Sequence, residues 1–413
     1  MSAYFFWMML ASALGFGKML ALAQILHPAD FGAYVSLFGL ASLSGMVLSF
    51  GQVEGTIKHF PRLWATGAKA DIPRHATRIA LSQCARFAML GVAVAILAAT
   101  VDIGVSPLTA LVTVSLGLGT SLLSLLASIF RASDNVVALQ NFTVMRSVLT
   151  LSVSCIGALL FGWQGALAGD VVAAALAIII ATVQIRSLSR DEAHHEVIPA
   201  STIEVNGGGR LYVANVLSSS MSLVDRSMVN AALGAATAGT YGVIGLLYQV
   251  GQLTMGILSQ RMGPLIIRAK FIGSDNVSGL AIFRRAAAGQ AILTAGLVLG
   301  LLGLQWLGWP AGFFGKYNLS VLAILLAGAV CLMQVFQLLE FVLIAKDLER
   351  SVLTASGASS IAFFSLAGLA WAFQSPLESF VAAMLVARTL QVTLLLLAII
   401  TKPTTRPLPP GDS

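Results

Sequence analysis

The feature that leaves this chain the fewest options is a succession of long apolar runs from one end to the other. A helix that crosses a bilayer needs ~20 residues, and runs of about 18 or more mainly apolar residues are its signature. Such runs fall at roughly 3–26, 32–57, 83–101, 106–130, 142–161, 164–185, 210–233, 239–260, 286–307, 319–345, 352–373 and 378–400, twelve in all. Charged residues make up only 10% of the 413, against ~25% in soluble domains. Mean hydropathy is +0.89. A water-soluble globular protein is excluded, and so is a disordered chain, because Leu, Ile, Val and Phe abound. The expected class is all-α: a polytopic membrane protein of about 12 helices. Ala21-Leu22-Ala23 has the small-x-small form of a signal-peptide cleavage site, but Lys18 interrupts the run and no basic residue precedes it. The segment reads as a retained first span.

Lys and Arg set the orientation. One side of the membrane collects Lys58, Arg62, Lys69, Arg74, Arg78, Arg131, Arg146, Arg186, Arg190, Arg210, Arg261, Arg268, Lys270, Arg284, Arg285, Lys346, Arg350, Lys402 and Arg406, nineteen in all. The other side has only Lys316. Both termini are therefore expected in the cytoplasm, with an even number of spans. The net charge of +7 records this asymmetry and is no footprint of nucleic acid.

Nothing between the spans is long enough to fold as a catalytic domain. Residues 187–209 hold Asp191, Glu192, Glu196 and Glu204 and end in Asn206-Gly207-Gly208-Gly209, which reads as a cytoplasmic linker. The Pro-rich tail 402–413 is expected to be disordered. Cys84, Cys155 and Cys331 lie inside apolar runs, in no disulfide or metal pattern. His194-His195 has no third ligand close in sequence. Gly15-Phe16-Gly17-Lys18 lacks the spacing and the Ser/Thr of a phosphate loop. No nucleophile–base arrangement, nucleotide site or cofactor motif appears, so the chain is not expected to be an enzyme.

The linker divides the chain near its midpoint. At an offset of 207, Leu26-His27-Pro28-Ala29-Asp30-Phe31-Gly32-Ala33-Tyr34 aligns with Leu233-Gly234-Ala235-Ala236-Thr237-Ala238-Gly239-Thr240-Tyr241, and Gln83 aligns with Gln290. Six spans per half give both halves the same orientation. The pattern predicts two six-helix bundles, 1–186 and 210–401, related by a pseudo-two-fold axis along the membrane normal. In transporters of that design the substrate path runs between the halves.

The stretch Leu22-Ala23-Gln24-Ile25-Leu26-His27-Pro28-Ala29-Asp30-Phe31-Gly32-Ala33-Tyr34 resembles the first-loop signature of polysaccharide flippases. These are the O-antigen, Wzx-type members of the multidrug/oligosaccharidyl-lipid/polysaccharide exporter superfamily. Asp225-Arg226 with Leu233-Gly234 and Gly239-Thr240-Tyr241 resembles the second-half signature. Gln24 departs from the family, which often has Arg there. The resemblance implies a flippase for a polyprenyl-diphosphate-linked oligosaccharide in the bacterial cytoplasmic membrane. It implies alternating access driven by a coupling ion, proton or sodium, and polymerase or glycosyltransferase partners. The runner-up in the same fold is a drug/cation antiporter; a membrane glycosyltransferase or polymerase is the rival from another class.

Charges inside the spans narrow the site, since each costs ~2.5–3.5 kcal/mol at mid-bilayer. The embedded cations are Lys18, Arg86, Arg226 and Arg388; the embedded acids are Asp170, Asp225 and Glu340. Arg86 and Glu54 lie near span ends, where they can snorkel. Asn215, Ser219, Ser222, Arg226 and Asn230 share one helical face. Gln334, Gln337 and Glu340 add polarity in span 10, Gln391 in span 12, and Tyr241, Tyr248 and Gln252 in span 8. Arg226, Arg388, Lys18, Asn215, Ser222 and Gln252 are the expected substrate contacts, the cations meeting the diphosphate. Asp225, Asp170 and Glu340 are the expected coupling or gating acids. Lys18 and Asp225 are 207 apart at equal depth, so a bond between spans 1 and 7 is expected, either as a gate or as a static salt bridge.

Overall fold

The computed structural model describes residues 2–53, 55–56, 60, 71–101, 105–132, 136–190, 209–272, 279–308, 313–346 and 348–401. Among them the regular structure is entirely helical. The elements are α1 (Ser2–Ile25), α2 (Pro28–Leu48), α3 (Asp71–Thr100), α4 (Pro107–Ala132), α5 (Val136–Arg190), α6 (Gly209–Leu233), α7 (Ala235–Ile272), α8 (Gly279–Trp306), α9 (Phe313–Tyr317), α10 (Val321–Met333), α11 (Phe336–Ala345), α12 (Glu349–Ala372) and α13 (Leu377–Thr401). Of the loop cations, Lys58, Arg62, Lys69, Lys402 and Arg406 lie outside the described residues, as do Glu54, the acids and histidines of 191–208, and the tail from 402.

Ten segments among the described residues are long and apolar enough to cross a membrane. One of them, α5, is two crossings. Its helical geometry breaks at Phe161 and at Gly162, where φ is +64°, a conformation that glycine adopts without penalty. The two arms fold back on each other, so that Ser154 of the first reaches Asp170 of the second. The polar α6 is not among the ten: its stripe of Asn, Ser, Asp and Arg lowers its hydropathy. Counting α5 twice and adding α6 restores the twelve crossings expected from sequence.

Span 10 is interrupted between α10 and α11. There Gln334, Val335, Gln337 and Leu338 make i→i+3 backbone bonds, the tighter winding that often marks a functional hinge. Arg146, expected in a loop, stands about three turns inside α5, within a candidate span. The charge asymmetry survives its removal from the count. Arg86 Nη1 donates to Leu48 O at 3.0 Å and Gln52 Oε1 at 3.3 Å, capping the end of α2.

The helices α1 and α4 pack with α5, α3 packs on α4, and α7 through α13 gather around α6, α10 and α13. The halves meet where α2 lies along both α6 and α7. At the start of α2 a Cβ on Gly32 would overlap Ala235 O; one on Gly239 would overlap Pro28 O. Only glycines allow the two backbones so close, the use small residues have in membrane helix packing.

Candidate functional site

Three buried polar networks hold the charges singled out in the sequence. The first lies within the N-terminal half. Lys18 Nζ pairs with Asp170 Oδ1 at 2.8 Å. Tyr34 OH donates to Asp170 Oδ2 at 2.7 Å, and Ser154 Oγ donates to Oδ1 at 2.5 Å. The Lys18 ammonium also sits 4.8 Å from the centre of the Phe38 ring. A carboxylate with a cation and two hydroxyls is fully provided for, so α1, α2 and both arms of α5 are tied together here.

This corrects the expected bond between Lys18 and Asp225. The two residues are equivalent by the 207-residue repeat, and equivalence guarantees equal depth only. Residues related by a two-fold axis touch when they lie on that axis. Gly32 and Gly239 do, whereas Lys18 turns into its own half and finds Asp170.

The second network surrounds Asp225 at the seam of the halves. Tyr248 OH donates to its Oδ2 at 2.6 Å and Tyr241 OH to the same oxygen at 3.1 Å. The backbone N–H of Arg226 donates to Oδ1 at 2.7 Å. Across the seam, Ser36 Oγ of α2 donates to Arg226 O at 3.3 Å, and Ser227 Oγ donates to Ser36 O at 3.1 Å. Tyr212 OH closes the far end of the same seam on Val47 O at 2.6 Å. The Arg226 side chain lies between these contacts and is 3% exposed. Its Nε and Nη2 have no hydrogen-bond partner among the described residues, and no described carboxylate stands within 4 Å. The buried Asp225 carboxylate attracts it from beyond ion-pair distance, and a buried guanidinium with donors left over is a costly arrangement.

The third network lies within the C-terminal half. Arg388 Nη1 donates to Ser218 Oγ at 3.0 Å and to Gln391 Oε1 at 2.8 Å, and Nη2 donates to Ser218 O at 3.0 Å. Its guanidinium lies 4.6 Å from the Phe336 ring centre. Gln391 Nε2 donates onward to Glu340 Oε1 at 3.2 Å. Arg388 therefore joins α6, α11 and α13. Of the remaining expected contacts, Ser222 is half-buried and bonds back to Ser219 O, while Asn215 is exposed and accepts from Ser219. Gln252 is exposed, and its carbonyl accepts from Gln337. In this conformation the expected substrate residues thus fall into separate places.

Sequence reasoning passed over Tyr34, Ser154 and the Ser36–Ser227 pair as site residues. Tyr34 could have been found, because it is the Tyr of the first Gly-x-Tyr signature and its repeat mate Tyr241 had been noted as polar. The serines carry no pattern that separates them from packing serines.

No known family profile and no curated relative matches the chain. Solved structures do. An inward-facing multidrug resistance MATE family transporter of the MOP superfamily aligns with TM-score 0.67 and 15% identity, over 95% of this chain and 94% of that one. An outward-facing MATE transporter aligns with TM-score 0.68 and 13% identity, over 96% and 94%. A MOP superfamily transporter from Pyrococcus furiosus Vc1, described as having a binding pocket of reverse polarity that suggests a different function, aligns with TM-score 0.60 and 13% identity, over 96% and 94%. At such identities the likeness concerns the fold, and the chain has the fold of the MOP superfamily transporters.

Proposed function

We propose that the chain is a secondary transporter that flips a polyprenyl-diphosphate-linked oligosaccharide across the bacterial cytoplasmic membrane. The bundles 1–186 and 210–401 would rock about the α2–α6–α7 seam in alternating access, with both termini in the cytoplasm. One observation carries the choice of an anionic substrate: the Arg226 guanidinium, buried at that seam with Nε and Nη2 unpartnered and no described carboxylate within the 4 Å of an ion pair. A cation in a low-dielectric site attracts phosphate far more strongly than one in water, and guanidinium matches phosphate bidentately. Rocking the halves apart would uncover it. The signatures at Leu22–Tyr34 and Asp225–Tyr241 favour a glycan-lipid as the anion. The neighbour described as having reversed pocket polarity shows that this fold is not confined to one polarity. A coupling ion would act at Asp225, whose carboxylate has hydroxyl and N–H donors but no cation within ion-pair distance among the described residues.

The test is glycan export in a strain whose own flippase is deleted. Arg226→Ala should abolish export at normal membrane abundance, and Arg226→Lys should restore part of it. Full export by Arg226→Ala would remove the basis for an anionic substrate. Drug efflux by the parent protein without glycan export would favour the drug/cation antiporter.

A further inference from the structure

The lone cation on the poorly charged side of the membrane, Lys316, is placed in the five-residue helix α9, between α8 and α10. Its Nζ donates to Ala23 O at 3.0 Å and to Gln24 O at 2.9 Å. Tyr317 OH donates to Ala23 O at 2.6 Å. Both carbonyls belong to the last turn of α1, where carbonyls lack partners within the helix and the helix dipole is negative. Burial raises the Tyr317 phenol above its ordinary value, so it remains a donor. Tyr317 is fully buried, its ring edge-on to Phe31 of α2 with centroids 6.1 Å apart. Its carbonyl accepts from Thr240 of α7 at 3.0 Å. A segment from the C-terminal half thus holds the end of α1 and the start of α2, at the same end of the seam as the Gly32–Gly239 contact.

We propose that α9 is a latch on the face opposite the basic loops: Lys316 and Tyr317 hold the α1 end while the halves are closed there, and release it when they open. The carbonyls at 23 and 24 accept whatever side chain the residue carries, so the latch is determined by the two donors. It supplies α1 from the other half with the cap that its own sequence lacks. Opening this face moves α1 and α2 away from α7 and breaks all three bonds. The proposal rests on the transporter reading but not on the identity of the substrate.

The test begins with the chain freed of Cys84, Cys155 and Cys331 and carrying Ser222→Cys on α6, one turn from Arg226. A membrane-impermeant maleimide applied to intact cells reads how often this position opens to the outside. Lys316→Met and Tyr317→Phe keep the shape of the latch and remove its donors. Each should raise the labelling rate about tenfold, the shift that ~1.4 kcal/mol produces in a two-state equilibrium. Lys316→Arg keeps the donors and should label at the parental rate. Parental labelling rates in both Lys316→Met and Tyr317→Phe, at parental abundance, would overturn the latch. Faster labelling in a protein that moves no glycan would keep the latch and discard the substrate.

Discussion

Tyr34 and Tyr241 occupy equivalent positions of the two halves, and each donates its phenolic hydrogen to a buried carboxylate, Asp170 at 2.7 Å and Asp225 at 3.1 Å. The acids come from different places. Asp170 stands on the second arm of α5, whereas Asp225 stands on α6 at the position equivalent to Lys18. The repeat has kept the tyrosine and exchanged the charge beside it. Where the position carries Lys, a distant Asp answers it; where it carries Asp, a second phenol, Tyr248, does.

The Lys18–Asp170 bond gives the first prediction. Lys18→Met or Asp170→Leu strands a buried charge and should cost ~3–5 kcal/mol of stability. The double variant should recover most of it, because an apolar pair can replace a buried ion pair. Lys18→Met combined with Asp225→Leu should be additive to within ~0.5 kcal/mol. Thermal unfolding of the purified protein in detergent reads all of these. Coupling between positions 18 and 225 would restore the bond that the structure replaces.

Arg226 and Arg388 should separate sharply. Arg388→Met removes three hydrogen bonds at a charged group, each worth ~1.5–3 kcal/mol, and should lower the melting temperature and the membrane abundance. Arg226→Met removes a cation that has no described carboxylate within 4 Å and two unpartnered donors, and should cost less stability than Arg388→Met, while export is lost. The reverse pattern, a destabilised Arg226→Met beside an intact Arg388→Met, would exchange the two roles.

The glycine crossing is tested by sign. Gly32→Ala and Gly239→Ala push a methyl group into opposing backbone and should cost ~1–3 kcal/mol, as overpacking does. Gly289→Ala on α8 has open space around its new methyl and should be neutral or stabilising by up to ~1 kcal/mol, the helix-propensity gain. Equal effects at the three positions in thermal unfolding would rule out a close crossing of α2 and α7.

Topology is tested by single cysteines in intact cells. Ala68→Cys and Gly208→Cys should resist an impermeant thiol reagent, and Gly312→Cys should react. External labelling at position 208 would overturn the expected orientation and the span count with it.

The sequence by itself determined the class of the protein, the number of its crossings and the equivalence of its halves. Those properties follow from transfer of apolar residues out of water and from repetition, and both are written along one chain. The polar stripe of α6 and the Gly-x-Tyr signatures were legible for the same reason. Periodicity names a helical face without reference to its neighbours. Only the tertiary structure decided which charge meets which. Lys18 found Asp170 because the turn at Phe161–Gly162 folds α5 back and brings Ser154 and Asp170 beside α1, a contact 152 residues away in sequence that no local pattern announces. Arg226 and Arg388 look alike in sequence, each a cation within a polar span. Packing gave Arg388 its partners in Ser218 and Gln391 and left Nε and Nη2 of Arg226 unpartnered at the seam. A buried charge takes its character from the donors and acceptors within about 3 Å of it, and their identity is a property of the packed helices.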